Sequence, residues 1–394
     1  MQQETRWGRI ATVTAGHFFV DFYATVLPPV LPFVAREFGL SMSMTGVLVT
    51  VVSIFSSWSQ PVFGYLLDGY RRFWPLPVAV MWVAILASSL GLAGSYWALA
   101  AIVSLAGVGS AVYHPLGSVA VAANSGRRKG TAMSMYITGG TIGATLPPLL
   151  AVPLVAAYGL KALLVLAPPG IIVSLLMVLL GVHRAPAAGE SSGSRELPRL
   201  RDMARLLHLS LALGLRLGAT WSYNTFMVMY FLHLGYSEIY GGRVLSAYIL
   251  AGSLGVLLGG IASDRTDRRR YLMATCVLGG LCLLGSFYVG GLLVPLLLIL
   301  GNAFISSSTP IGVVIGQSLV PSNATMASGV MLGMSFGIAG LGSALTGVLA
   351  DIMGLPRALE VNLLLLVVSL ALTYFLPSEA SSDVPASGKA VGEN

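Results

Sequence analysis

The sequence predicts an all-α membrane protein of twelve transmembrane helices arranged as two six-helix halves. Three observations carry that expectation. Hydrophobic residues make up 56% of the chain against 9% charged, with a mean hydropathy of +0.83, far too little polar surface to cover a water-soluble globule of 394 residues. The apolar residues fall into twelve runs near the roughly 20 residues that cross about 30 Å of hydrocarbon. A short charged loop also occurs twice, as Gly64-Tyr-Leu-Leu-Asp68-Gly-Tyr-Arg71-Arg72 and as Gly260-Ile-Ala-Ser-Asp264-Arg265-Thr-Asp-Arg268-Arg269, its glycines and aspartates both 196 residues apart, close to half the chain. A duplicated membrane unit explains that spacing.

In chain order the predicted spans lie near 10–35, 44–68, 76–94, 97–122, 131–157 and 162–182, and then near 206–233, 241–262, 271–290, 292–319, 325–350 and 358–376. The first is too long for a signal peptide, contains Asp21 and ends in Pro28, Pro29 and Pro32. The polar stretch 183–205, rich in Ala, Gly, Ser, Pro and Arg, reads as a cytoplasmic linker between an N-terminal half, 1–182, and a C-terminal half, 206–377. The tail 378–394 is low in hydrophobicity and is expected to be disordered. Spans five and eleven carry bending and packing signals: Gly139, Gly140 and Gly143 precede Pro147 and Pro148, and Gly329, Gly333, Gly337 and Gly340 allow close helix approach. Cys276 and Cys282 fall within one span and are expected to pack as small hydrophobes.

Placing the N-terminus inside puts 17 of the 22 Lys and Arg residues on the cytoplasmic side, leaving Arg36, Lys161, Arg243 and Arg357 outside and Arg216 within a span. That asymmetry and an even span count put both termini in the cytoplasm. Topology therefore accounts for the net charge of +7, and no nucleic-acid partner is expected.

The twelve spans and the repeated loop resemble the Major Facilitator Superfamily. The resemblance implies a conformational latch of Gly64, Asp68, Arg71 and Arg72, partly copied by Asp264 and Arg268, which joins the halves on the cytoplasmic side. Carboxylates, helix ends and guanidinium forks can form and break such contacts at modest cost; the same charges would also enforce topology. Segments around Gly16–Tyr23, Gly107–Pro115, Gly139–Gly143 and Gly329–Gly340 resemble the fosmidomycin-resistance branch of drug exporters. Members of that branch often carry an acidic residue directly after the His-Pro of span four, where this chain has Leu116.

Of the 15 acidic residues only Asp21 lies well inside a span, and an ionisable group at that depth is costly unless it faces a cavity or a partner. His17 stands one turn before it on the same helix face. Together they form a candidate proton-coupling pair, or else a fixed hydrogen-bonded pair that packs span one. Other polar groups at depth gather on spans one, four, seven and ten, which line the central cavity in the superfamily: Tyr23; Tyr113 and His114; Arg216, Trp221, Tyr223 and Asn224; Asn302 and Ser306. Arg216 calls for an anion, either Asp21 or a carboxylate or phosphonate substrate, unless it snorkels to the interface.

No phosphate-binding Gly-x-x-x-x-Gly-Lys-Ser/Thr loop occurs, the five histidines show no metal-ligand spacing, and no nucleophile–base set suggests an enzyme. No cofactor and no metal are expected. The expected function is secondary active transport by alternating access in a bacterial inner membrane. The chain would act as a proton-coupled antiporter that exports a small drug-like or anionic compound, or alternatively as an importer or exchanger of a small organic anion, with a membrane-embedded receptor or enzyme as the rival from another class. Its partners would be substrate, protons and membrane lipid, and it would work as a monomer.

Overall fold

The computed structural model describes residues 5–67, 73–126, 128–184, 199–263, 267–320 and 324–376, and all regular structure among them is helical. The first predicted span is two helices, α1 (Trp7–Ala24) and α2 (Leu27–Phe38). The break follows from Pro28 and Pro29, which lack the N–H groups that would continue the ladder, and Thr25 satisfies the exposed end by donating to the Asp21 carbonyl at 2.8 Å. Gly39 ends α2 in the left-handed conformation (φ 62°), and Ser41 caps α3 (Met42–Ser53) by accepting from the Met44 N–H. A π-helical turn, Ile54–Trp58, joins α3 to α4 (Gln60–Leu66).

The N-terminal part continues with α5 (Pro75–Ser88), α6 (Tyr96–Asn124), α7 (Lys129–Thr145), α8 (Pro147–Tyr158) and α9 (Ala167–Leu179). Pro147 and Pro148 separate α7 from α8 for the reason that separates α1 from α2. Beyond the linker come α10 (Leu200–His233), α11 (Glu238–Ser263), α12 (Arg268–Gly285), α13 (Leu293–Ser306), α14 (Thr309–Leu319), α15 (Ala324–Met353), α16 (Leu355–Asn362) and α17 (Leu364–Tyr374). Each of the twelve predicted windows is occupied by helix, although α12 stops at Gly285, short of the window's end at 290.

Nine helical segments among the described residues are long and apolar enough to cross a membrane, and Met42–Trp58 is a shorter apolar one. Two predicted spans do not reach that standard for a physical reason. α12 opens with three arginines, and α10 carries Arg201, Asp202, Arg205 and Arg216. α10 is instead covered by protein: α15 and α17 pack along it, and its residues from Met227 to Phe231 are buried. The chain is an integral multi-pass membrane protein.

Helices before residue 184 meet those after 199 where α3 lies on α15, α2 on α10, and α7 and α8 on α11. Small residues let the backbones touch. A Cβ on Gly46 would stand 2.6 Å from the Ser343 carbonyl oxygen, and one on Gly347 would stand 2.3 Å from that of Met42. Among the described residues four polar links cross this seam. Thr50 donates to the Gly340 carbonyl at 2.6 Å, and Ser246 donates to the Thr145 carbonyl at 2.5 Å. Arg36 pairs with Glu238 at 2.8 Å, and the Asp351 carboxylate accepts from the backbone N–H groups of Met42 and Ser43 at 2.8 and 2.9 Å. The last two links sit at helix ends remote from the arginine-rich loops.

Candidate functional site

The polar centre of the molecule lies where α1, α6 and α7 converge. Glycine makes the approach possible. On Gly140 of α7 a Cβ would stand 2.4 Å from the Asp21 Oδ2 and 2.5 Å from the His17 ring, and on Gly143 it would overlap the Phe18 carbonyl oxygen. The glycine run read as a packing signal is thus the surface against which α1 sets its charged face.

Asp21 is held between two imidazoles. His114 Nε2 is 3.0 Å from Asp21 Oδ1 in hydrogen-bonding geometry, and His17 Nε2 is 3.3 Å from Asp21 Oδ2 but out of line for a hydrogen bond. The opposite edges of both rings face backbone: His17 Nδ1 lies 2.7 Å from the Tyr136 carbonyl oxygen and His114 Nδ1 2.8 Å from that of Ser110. Tyr136 stacks on His17 with ring centres 4.0 Å apart, and the two imidazoles meet edge to face at 4.9 Å. Side-chain exposure grades across the cluster, 7% for His17, 22% for Asp21 and 27% for His114, so the carboxylate and the second ring are the reachable members. The donor atoms of the three residues lie within 4.8 Å of one another, a set able to hold a proton or another small cation.

His114 was expected in the substrate cavity and His17 alone beside Asp21; the structure instead adds His114 to the acid–imidazole pair. Two of the histidines that look scattered in sequence are therefore neighbours, because α6 crosses α1 at this level. Spacing along one chain could not show this, since His114 lies 93 residues from Asp21.

Several expected cavity residues also tie helices together, and Tyr23 lines a small crevice with Leu27, Val52 and Ala87. Tyr23 is buried, donates to the Leu166 carbonyl at 2.6 Å and accepts from the Gly170 N–H, tying α1 to α9. Tyr113 is buried and donates to the Val13 carbonyl at 2.6 Å. Asn302 donates to the Tyr248 carbonyl at 2.7 Å and accepts from Ser306, which fastens α13 to α11. Tyr223 is sealed in the core, whereas Trp221 and Asn224 are half-buried.

Arg216 departs most from expectation. Its side chain is fully buried, its Nη2 reaches Thr373 Oγ1 only at 3.5 Å, and Nε and Nη1 have no hydrogen-bond partner. No carboxylate among the described residues stands within ion-pair distance of it; Asp21 has its two imidazoles instead. Snorkelling is equally absent, because the guanidinium turns into the helix packing.

Sequence reading missed a crevice between α10, α14 and α15, lined by Leu213, Leu217, Ser308, Thr309, Met331 and Phe336. Phe336 also meets Trp221 at 5.5 Å between ring centres. The only signal in sequence was the glycine pattern of α15, which marks packing and does not single out the buried Met331 or the half-buried Phe336. Of the expected latch, Gly64 lies in α4 and Arg268 opens α12, while Asp68, Arg71, Arg72 and Asp264 lie outside the described residues.

The family model of the Major Facilitator Superfamily matches residues 13–342. The chain belongs to that superfamily. It is 30% identical over 394 aligned residues, covering 96% of this chain and 95% of the relative, to the fosmidomycin resistance protein of Escherichia coli (strain K12). It is also 25% identical, over 92% of this chain and 91% of the relative, to the uncharacterized transporter YfnC of Bacillus subtilis (strain 168), itself described as of this superfamily type. Among solved structures, a bacterial homologue of the human lysosomal transporter Spinster, in an inward-facing and occupied conformation, matches with a TM-score of 0.82 at 16% identity, covering 95% of this chain and 97% of the other. At that identity the likeness shows the fold. This superfamily member is therefore a transporter of the facilitator type, and the resemblance read from its loops and glycines holds.

Proposed function

We propose that the protein is a secondary active transporter of twelve spans in two six-helix halves, working by alternating access, which exports a small drug-like compound in exchange for protons. The observation that carries this reading is the Asp21 carboxylate, at membrane depth, partly reachable and flanked by two imidazoles in a chain with no other carboxylate well inside a span. A buried acid with two imidazoles is a group whose charge can change with the proton gradient, and a change of charge at depth alters the balance between two packings of the same helices.

The cross-links at the cation-poor ends support a cytoplasm-open state. With both termini in the cytoplasm of a bacterial inner membrane, Arg36–Glu238 and Asp351–α3 close the outer face. Substrate would enter from inside, settle against Phe336, Met331 and Trp221, and leave when those outer contacts part. The crevice is nearly closed in this packing and mixes apolar side chains with the hydroxyls of Ser308, Thr309 and Ser335, so room for an apolar or aromatic group would have to come from the helix movement itself. The sealed Arg216 removes the main reason to expect anion recognition, so of the two substrate classes read from sequence the drug-like one is favoured. The linker and the loop around Asp68 would connect and latch the halves of a monomer.

The test is flux in proteoliposomes with an imposed pH gradient, using as probe a fluorescent hydrophobic dye together with the antibiotic fosmidomycin. Uphill movement of the dye that follows the sign of the gradient supports the reading, whereas gradient-driven movement of fosmidomycin, a phosphonate anion, without movement of the dye would favour the anionic substrate class. Gradient-independent equilibration of both would leave a facilitator without proton coupling.

A further inference from the structure

We propose that the coupling proton is held in the Asp21–His114 bond, and that His17 is a positioning residue whose ring stays neutral with Nε2 bare. This rests on the proton-coupled reading above and assigns its atoms.

A backbone carbonyl oxygen can only accept. Tyr136 O lies 2.7 Å from His17 Nδ1, and Ser110 O lies 2.8 Å from His114 Nδ1, nearer than the Ser110 hydroxyl at 3.3 Å, so the closer carbonyl partner in each case calls for hydrogen on Nδ1. Any neutral ring so fixed presents a bare Nε2 lone pair to Asp21, and an ionised carboxylate presents lone pairs as well. Two acceptors do not approach to 3.0 Å in hydrogen-bonding geometry without a hydrogen between them. The His114–Asp21 contact therefore contains a proton, whichever of the two atoms bears it at a given moment. The His17–Asp21 contact does not need one: it is longer, at 3.3 Å, and misaligned, and His17 Nε2 has no hydrogen-bond partner.

The surroundings separate the two rings in the same sense. His17 is clamped, stacked on Tyr136 and almost fully buried, whereas His114 is the most exposed member of the cluster. The other titratable groups facing the cluster are Tyr113 from α6 and Tyr136 from α7, with hydroxyls engaged by Val13 O and, at 3.4 Å, by His114 O. Of the other helices packed on α1, α5 and α9 contain no titratable side chain, and the short turn Val182–Arg184 brings His183, whose ring lies against Trp74, and Arg184.

Loss of the proton leaves His114 Nε2 and Asp21 Oδ1 as opposed lone pairs. Neither ring can answer by flipping without breaking its Nδ1–H bond to a carbonyl. The relief available is a movement of α6 against α1, next to Pro115, which has no N–H to give to the carbonyl one turn before it. Proton release is in this way converted into a change of helix packing.

Tautomers are read directly by 15N NMR of histidine-labelled full-length protein in nanodiscs, with His17 and His114 assigned from the His17→Gln and His114→Gln variants. Expected are Nδ1–H on both rings, a protonated Nε2 on His114 at low pH that deprotonates as pH rises, and a bare Nε2 on His17 across the same range. A proton on Nε2 of His17 while that of His114 stays bare, or a bare Nδ1 on either ring, overturns the assignment. Flux supplies a second readout. His17→Gln should retain gradient-driven transport at a reduced rate with a displaced pH profile, and His114→Gln, whose amide supplies a permanent hydrogen to Asp21, should retain none. The reverse order of the two variants also overturns it. If the tautomers come out as expected but wild-type flux ignores the pH gradient, the proton-coupled function fails and the structural assignment stands.

Discussion

Asp21 and Arg216 are separated in sequence by nearly the offset of the repeated loop and meet opposite surroundings. The 196-residue offset of the repeated loop sets position 20 against position 216, so the two charges are one residue apart in register on α1 and α10. One residue is a rotation of about 100° around a helix. That is enough to turn Asp21 onto α6 and α7, where it is partly reachable and flanked by two imidazoles, and Arg216 into the packing toward Thr373 of α17, where its guanidinium is sealed without an anion. Sequence identifies both as costly charges at membrane depth. Direction decides which of them the proposed proton coupling can use: Asp21 is partly reachable, whereas Arg216 is sealed in the helix packing at a cost.

That contrast breaks most readily at Asp21. Asp21→Asn should abolish uphill transport altogether while the protein stays folded, because the amide can donate to a bare imidazole Nε2 and imitates the protonated acid permanently. Flux and a thermal melt check both parts. Gly140→Ala should come next. Its Cβ would stand 2.4 Å from the Asp21 Oδ2, so α7 must back away from α1, at a cost on the order of 1 to 3 kcal/mol and a transport rate lowered at least severalfold, seen in the melt and in initial rates. For Arg216 the expected effect has the other sign. Arg216→Met removes a buried charge that has no anion, so stability should hold or rise by about 1 to 4 kcal/mol, with ligand affinity unchanged within error. A large loss of affinity for an anionic ligand alone would bring Arg216 back into the binding site.

The smallest effect is expected at the outer seam. Asp351→Ala deletes the carboxylate that caps the N-terminus of α3, worth about 0.5 to 2 kcal/mol in a cap of this kind, and so should shift the population toward outward opening. Labelling of a cysteine introduced at Met44 from the outer face should speed up, and no change in labelling would make Asp351 a local cap only.

What was legible in the sequence follows the range of each interaction. The helices and the bend at Pro147 and Pro148 were readable because apolar runs and prolines act within a turn or two of themselves, whereas Pro28 and Pro29, read as the end of one span, in fact open a second helix. The His17–Asp21 pair was readable because one turn of helix puts both on one face. His114 was not, since its place depends on how α6 crosses α1, and sequence does not show that the hydroxyl and amide groups of Tyr23, Tyr113 and Asn302 also bond neighbouring helices. Arg216 shows the same limit in reverse: sequence gives depth, but not the side of the helix on which a residue finds its neighbours.

The most direct test of the central claim follows protons and substrate together. In proteoliposomes loaded with a pH-sensitive dye, addition of substrate to wild-type protein should move protons opposite to the substrate, and reversing the pH gradient should reverse net flux, with neither signal present in Asp21→Asn. Substrate movement without any proton signal in the wild type, or uphill transport driven by the gradient in Asp21→Asn, would contradict it.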